Sequence, residues 1–322
     1  MKKSMRYDVL GYLETLQVSK NCSTKRNIGG NQMRFQGIPV TLENYKTIFR
    51  DCTPDILDEI RLAVLDDTNI MLYIDSCGDD SYKLGQFRLA VREGVQARFL
   101  STQLTAKTVK CMRKCTYEGV SLEPLVKYYN GMQLALPVEV FEIITETLSL
   151  GGDITKIDFF EVPEGILDII CRGLVRGYPM WMFVDERFSE QYIRLLMRGL
   201  DLNIDISPFM KDIWSESQLV LIFANSNKVD ISMLISYISP KFSCETITAL
   251  IKTIMLGLDI DQLAYRDSDG YPIYSDFQIE VLTRALLLMK KGVNCEEVFN
   301  PRLSDKQMSD KLDDIENSLQ ET

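Results

Sequence analysis

Histidine is absent from all 322 residues of this chain. Its absence removes the usual general base at neutral pH, the commonest zinc and iron ligand, and every Ser-His or Cys-His nucleophile pair. Catalysis by carboxylates or Lys stays open, but no such constellation stands out, and no enzyme is expected. Long apolar runs are missing too: none approaches the ~20 residues of a membrane span. The opening Met-Lys-Lys-Ser-Met-Arg has no apolar stretch behind it, so no secretory signal is expected and a cytoplasmic location is. Phosphate loops are lacking, because Gly29-Gly30 and Gly151-Gly152 have neither a following Lys-Ser/Thr nor the three-glycine spacing. The eight cysteines are scattered rather than spaced as a framework, which reads as reduced, buried thiols. No cofactor and no metal are expected.

What is present is ordinary globular composition, 46% hydrophobic and 25% charged, and a phrase that returns. Arg61-Leu-Ala-Val64 and Arg88-Leu-Ala-Val91 are the same four residues. Each follows a large apolar residue, Ile60 or Phe87, and each precedes a helix stop, Asp67 or Gly94. Similar endings recur at Gly119, Gly151, Gly177, Gly199, Gly257 and Gly292, with Lys228 in the equivalent place of a degenerate copy. These stops recur about every 28 residues, a period that sets the architecture before anything else.

Seven residues before a stop stands a large apolar residue such as Ile60, Phe87, Ile144, Ile170 or Leu250. Three before, the series includes Val64, Val91, Leu148, Leu174 and Ile254. Both positions share one helical face. The position between them, four before the stop, is small in most copies (Ala63, Ala90, Cys115, Thr147, Gly173, Ala224, Thr253), with Leu195 and Leu288 as exceptions. That marks a line of close helix–helix contact. A left-handed residue at the stop explains the glycines. A capping residue then follows in many copies (Ser121, Asp153, Asp201, Asp230, Asp259, Asn294) and can start a second, shorter helix. Turns such as Tyr237-Ile-Ser-Pro-Lys-Phe242-Ser end in a serine that can cap the next long helix. The expected fold is all-α: an α-solenoid of about nine helix–Gly–short helix repeats with an N-terminal helix and a C-terminal capping helix. Tyr265–Tyr274 is the one stretch expected to be a small hairpin or extended loop.

Gly199-Leu-Asp-Leu202, Gly257-Leu-Asp-Ile260 and Tyr237-Ile-Ser-Pro-Lys-Phe242 carry a resemblance. They are similar to the helix–loop repeats of accessory proteins from phages, plasmids and integrative elements of gut Gram-positive bacteria. Those copies read Gln-Met-x-x-Ile-Arg-x-Gly-Leu-x-x-Gly-Leu-Asp-Val followed by Tyr-Ala-x-Pro-x-Phe. The resemblance covers roughly residues 55–310 by the repeat criterion, and no copy here carries the whole phrase. It implies a shape and a mobile-element setting, and supplies no catalytic residues.

The pattern divides the chain into a helix, linker and lead-in over 1–50, a repeat array over 51–302 and a capping helix over 303–322. Within the first part, residues 5–16 read as a helix and 17–38 as a polar, Gly-bearing linker. In the last, Met308, Leu312, Ile315 and Leu319 make a thin apolar stripe suited to a terminal cap. Charge is uneven within a net −10. Residues 51–80 hold one basic residue against nine acidic, and 81–130 hold nine basic against three. Arg88, Arg92, Arg98, Lys107, Lys110, Arg113 and Lys114 could therefore form a stripe for phosphates or an acidic protein surface. The plainer alternative is the solvated faces of two helices. In Met180-Trp-Met-Phe183, Trp181 and Phe183 would be partner anchors if exposed and core if not. Cys111 and Cys115, one helical turn apart, read as core rather than half a metal site, and Asp267-Ser-Asp-Gly270 as a turn rather than a calcium loop.

Function follows shape here. The chain is expected to bind a macromolecule, most simply a protein, along an extended surface. In a mobile-element setting that partner would be a host protein, such as a nucleic-acid-binding defence factor that the chain inhibits. The alternatives are a nucleic-acid binder using 81–130 and a His-free enzyme. Neither a membrane nor a small-molecule substrate is expected.

Overall fold

Side chains that close helix starts recur down the chain and set its elements. Thr53, Asp80, Thr105, Ser189, Ser215, Asp230, Ser243 and Ser275 each accept a hydrogen bond from the backbone N–H three residues on, so each fixes the first turn of a helix. A computed structural model describes residues 32–185 and 187–320. The expected helix 5–16 and the linker before residue 32 lie outside the described residues. The described chain is mostly helical, and it divides into two compact units. The boundary falls inside the segment expected to be one repeat array.

In the first unit, which runs to Gly119 and includes Tyr129–Leu134, the long helices are α2 (Pro54–Leu65), α4 (Ser81–Arg92) and α5 (Ala106–Glu118). Short α1 (Tyr45–Ile48) packs on α2, and α3 (Met71–Cys77) packs on α4. Two hairpins were not expected. β1 (Arg34–Phe35) pairs with β2 (Ile38–Pro39) in the region read as linker. Gln36 and Gly37 give it positive φ at both turn positions, 49° and 81°, as a tight two-residue turn requires. β3 (Tyr129–Asn130) pairs with β4 (Gln133–Leu134), with Gly131 in the turn. The Tyr129 hydroxyl donates to the Phe99 carbonyl at 2.7 Å, which ties this hairpin to its unit.

The second unit takes Val120–Tyr128 and continues from Ala135. Its long helices are α6 (Val138–Ser149), α7 (Glu164–Val175), α8 (Glu190–Asp201), α10 (Glu216–Ala224), α12 (Cys244–Met255), α13 (Asp276–Met289) and α14 (Asp305–Gln320). Each packs on the next long helix in this order. Short α9 (Ser207–Lys211) and α11 (Ile231–Tyr237) return the chain between them. Lys252 bonds Glu280 at 3.1 Å, Thr253 bonds Thr283 at 2.6 Å and Arg284 bonds Asp313 at 3.1 Å. The Ser189 cap of α8 also bonds Glu216 at the start of α10, and the Ser275 cap of α13 bonds Asp305 at the start of α14, at 3.0 and 3.2 Å, so helix starts lie beside starts in these two pairs.

The helix ends repeat in detail. At stops 67, 94, 151, 177, 203, 257 and 292 the stop N–H reaches back to the carbonyl three residues earlier, and the next N–H reaches five back. This double back-bond is the Schellman cap. The large residues seven before the stop, among them Ile60, Phe87, Met112, Ile144, Ile170 and Leu250, are fully buried.

Three expectations need correction. Gly199 is not a stop: it lies inside α8, and the left-handed residue is Asn203, at φ 57°. Gly199 holds the small position four before that stop, where a Cβ would stand 3.0 Å from the Phe223 ring. The apparent exception at Leu195 disappears with this shift. Lys228 is not a stop either, because α10 ends at Ala224 and Asn225 caps it at φ −105°. Second helices form in only some copies. Asp153 and Asp259 cap bare turns, Asn294 starts a 3-10 turn over Glu296–Val298, and Asp201 closes α8 while Asp205 accepts the N–H of Ser207, the first residue of α9. The stretch 265–274 is an extended loop with a single bridge, Arg266 to Pro272. The stripe on α14 is buried at Met308 and Leu312 and reaches solvent at Leu319.

Candidate binding surfaces

The basic stretch 81–130 does not form one exposed stripe. Arg88, expected to point outward, is buried, with its Nε 2.8 Å from Glu59 and its Nη1 on Asp66. Those two carboxylates hydrogen-bond the guanidinium and raise its pKa against the opposing effect of burial. Gly85 makes the room, since a Cβ there would sit 3.1 Å from the Glu59 carboxylate. Arg113 forks onto both Glu93 oxygens at 2.8 and 2.7 Å and reaches Gln86 at 2.6 Å. Its hydrogen bonds hold the Glu93 carboxyl below the usual carboxylate range. These two arginines therefore bolt α2 to α4 and α4 to α5. The sequence hides this because a helix face meeting another helix through ion pairs has the composition of a solvated one. Arg92 is more exposed and stands 3.5 Å from Asp66. Arg98 donates to Gln96 and lies 4.8 Å from the Phe99 ring centre. Lys107 and Lys110 are exposed, and Lys114 pairs loosely with Glu118 at 3.9 Å.

Cys115 is buried, and burial pushes its thiol up to about 11, so it stays protonated at neutral pH. Cys111 is half-buried. Among the described residues no group of three or more Cys, Asp or Glu is placed to hold a metal ion. The Asp267 carboxylate accepts the N–H groups of Asp269 and Tyr271, both at 2.9 Å, and so closes its own turn.

The Met180–Phe183 run is a 3-10 turn that splits by position. Met180 and Phe183 are fully buried, which corrects Phe183 as an anchor, whereas Trp181 and Met182 are each 40% exposed. Lys156 places its ammonium 4.1 Å from the Trp181 ring centre. Phe160, missed by the sequence reading, is 52% exposed and tilts against Tyr128 at 5.5 Å. Its signal was the doublet Phe159-Phe160, of which only Phe159 can face inward. The other tryptophan, Trp214, is buried beside a recess of about 510 Å³ lined by Ile213, Gln218, Pro240 and Phe242. Its indole N–H finds no acceptor among the described residues.

A second feature belongs to the helix ends. The residues that cap α6, α8 and α12 at their C-termini are all leucines, Leu150, Leu202 and Leu256. They are 54%, 43% and 51% exposed. The equivalent residues of α7 and α13 are Arg176 and Lys290, so the cap itself does not demand an apolar side chain. No helix among the described residues is long and apolar enough to cross a membrane. No protein-family model, curated protein or solved structure matches the chain.

Proposed function

We propose that the chain is a non-enzymatic helical repeat protein, an α-solenoid within each unit, that binds another protein. The leucine caps carry this reading. Leu150, Leu202 and Leu256 expose apolar surface at one structural position in α6, α8 and α12, alternate members of the first five long helices of the second unit. Helices pack about 8–10 Å apart, so these side chains recur about every 20 Å along one edge. A row of large apolar residues that the fold does not require marks a contact surface rather than scattered exposure. The edge is also within reach of charge, because the second unit holds 18 basic against 32 acidic residues. Such a field steers basic partners and makes association salt-dependent.

In the mobile-element setting that the resemblance implies, the partner is a host protein with a basic, nucleic-acid-binding surface. Direct nucleic-acid binding through 81–130 has less support, since Arg88 and Arg113 are already held by carboxylates. The test is capture from a host lysate by the wild type and by a triple variant, Leu150→Asn, Leu202→Asn and Leu256→Asn. Exposed substitutions of this kind shift stability by about 0.5 kcal/mol or less each, so the variant folds. It is expected to lose the captured protein. Equal capture by both would sink the proposal.

A further inference from the structure

Two positions vary together at the helix ends. Among the described residues, the double back-bond forms at stops 67, 94, 151, 177, 203, 257 and 292. Where the residue before the stop is Leu150, Leu202 or Leu256, the second residue after it is Asp153, Asp205 or Asp259. The other ends carry Asp66, Glu93, Arg176 or Lys291 before the stop, and Asn69, Gln96, Pro179 or Asn294 after it. Leucine and aspartate are thus present together or absent together.

The fold asks for neither. Each of the three aspartates accepts the N–H two residues on, at 3.0 Å, and so closes its own turn. Asn69 and Asn294 close theirs in the same way, at 3.2 and 3.0 Å, without a charge. Three residues separate each leucine from its aspartate, so the two stay within about 10 Å of one another. The Thr155 hydroxyl and N–H hold the Asp153 carboxyl below the usual carboxylate range, and the Ser207 N–H and hydroxyl do the same for Asp205. Asp153, Asp205 and Asp259 are all exposed. Nearby cations are mostly committed: Arg176 pairs with Asp201 at 3.3 Å, Lys252 with Glu280 at 3.1 Å, and Lys156 lies over the Trp181 ring. Arg198, one turn before Leu202, is exposed, and it leaves the negative charge in excess.

Packing brings these ends to one edge. A Cβ at Gly152 would stand 3.3 Å from Leu174, and one at Gly199 3.0 Å from the Phe223 ring. Arg176 and Tyr178 both reach Asp201. The ends of α6, α7, α8 and α10 therefore lie side by side. Val175, at the end of α7, adds exposed apolar surface on the helix between Leu150 and Leu202. Two helix steps separate those leucines, about 20 Å.

We propose that this edge docks a basic protein segment in which an apolar residue stands beside Arg or Lys, the pair recurring about every 20 Å. Each apolar side chain lies against a cap leucine, and each cation faces the aspartate three residues on. An extended chain covers that spacing in about six residues. Acidic segments and nucleic-acid phosphates meet the same carboxylates as repulsion. The inference rests on the reading of the leucine caps as a protein-binding surface and adds the charge that selects the partner.

Fluorescence anisotropy tests it on the full chain. The probe is a labelled eighteen-residue peptide with a Leu-Arg pair every six residues. It is titrated at low and moderate salt beside its Leu-Glu counterpart and a labelled oligothymidine. The Leu-Arg peptide is expected to bind, and to bind more weakly as salt rises. The triple variant Asp153→Asn, Asp205→Asn, Asp259→Asn keeps the turn bonds, as Asn69 and Asn294 do, and removes the charge. It should weaken the peptide about tenfold, the sum of three exposed charge pairs, and flatten the salt dependence. The leucine-cap variant should weaken it while leaving the salt dependence in place. No binding of the Leu-Arg peptide, equal binding by the aspartate variant, or equal or tighter binding of the Leu-Glu peptide or the oligonucleotide would each overturn the proposal. If the leucine-cap variant still loses its captured protein in that case, the protein-binding reading stands and only its basic partner falls.

Discussion

Two glycines of α7 separate conformational freedom from close packing. At Gly173 a Cβ overlaps Met180, whereas at Gly165 nothing lies within 4 Å. Gly165→Ala should stabilise the chain by about 0.5 kcal/mol through helix propensity, and Gly173→Ala should destabilise it by about 1–3 kcal/mol through overpacking. Urea unfolding of both variants checks the opposite signs. Arg88 poses a similar question of context. Replacing it by Ala strands Glu59 and Asp66 and is expected to cost about 3 kcal/mol, with Lys a poor substitute because it lacks the fork. Glu93 adds a pH dependence. Its folded pKa lies below the unfolded value, so its stabilisation is complete above about pH 4.3 and is lost as pH falls through the folded pKa. Arg113→Ala should therefore show a smaller loss of stability on acidification than the wild type, read by denaturant titration at stepped pH. At this scale the sequence was legible where one physical demand dominates, as at the Gly94 and Gly257 stops. It was illegible at Gly85 and Gly199, where a glycine serves a neighbour distant in sequence, Glu59 or Phe223. It was equally silent on Arg88, since pairing partners leave no periodic mark.

Helices in this chain are set by their ends more than by their middles. Ser215 with Gln218 and Ser275 with Gln278 form reciprocal capping boxes. Each glutamine then spends its amide on the following turn: Gln218 donates to the Pro240 and Phe242 carbonyls at 3.1 and 2.6 Å, and Gln278 to the Leu303 carbonyl at 3.0 Å. Gln218→Glu replaces that donor with an oxygen facing two carbonyls. It should cost about 2 kcal/mol at neutral pH, and part of the loss should return in mild acid as the introduced carboxyl gains a proton. Thermal melts at two pH values test this. Asn203 holds the left-handed position of the α8 cap, so Asn203→Gly should be neutral or slightly stabilising and Asn203→Val should cost about 1–2 kcal/mol. The long helices and their serine starts were legible because caps and apolar faces are local signals. The two hairpins were not, since two residues per strand carry too little alternation to see.

At the level of the whole molecule, helices contact their neighbours in sequence order and little further. Within the second unit each long helix packs on the next, and the side-chain bonds from α12 to α13 and from α13 to α14 span 28 to 32 residues. On the solenoid reading proposed above, stability is a sum of units and their shared faces. Gly173→Ala should therefore raise amide exchange in α6, α7 and α8 and leave α13 and α14 near their original protection, a gradient that hydrogen exchange resolves. The recurring helix stops were legible in the sequence, but the division into two units was not, because the hairpin at 129–134 sits with residues before it while its flanks do not. The glutamine clamp has a consequence for ancestry. Gln218 takes the carbonyls of Pro240 and Phe242 in the turn that ends at the next serine cap, and Tyr274 precedes Ser275 just as Phe242 precedes Ser243. Excising residues 243–274 would join Phe242 to Ser275, leaving Gln218 its own acceptors and α10 an equivalent neighbour. A lineage carrying this joint can lose or gain whole repeats without redesigning it, so chains of different length can share one set of seams.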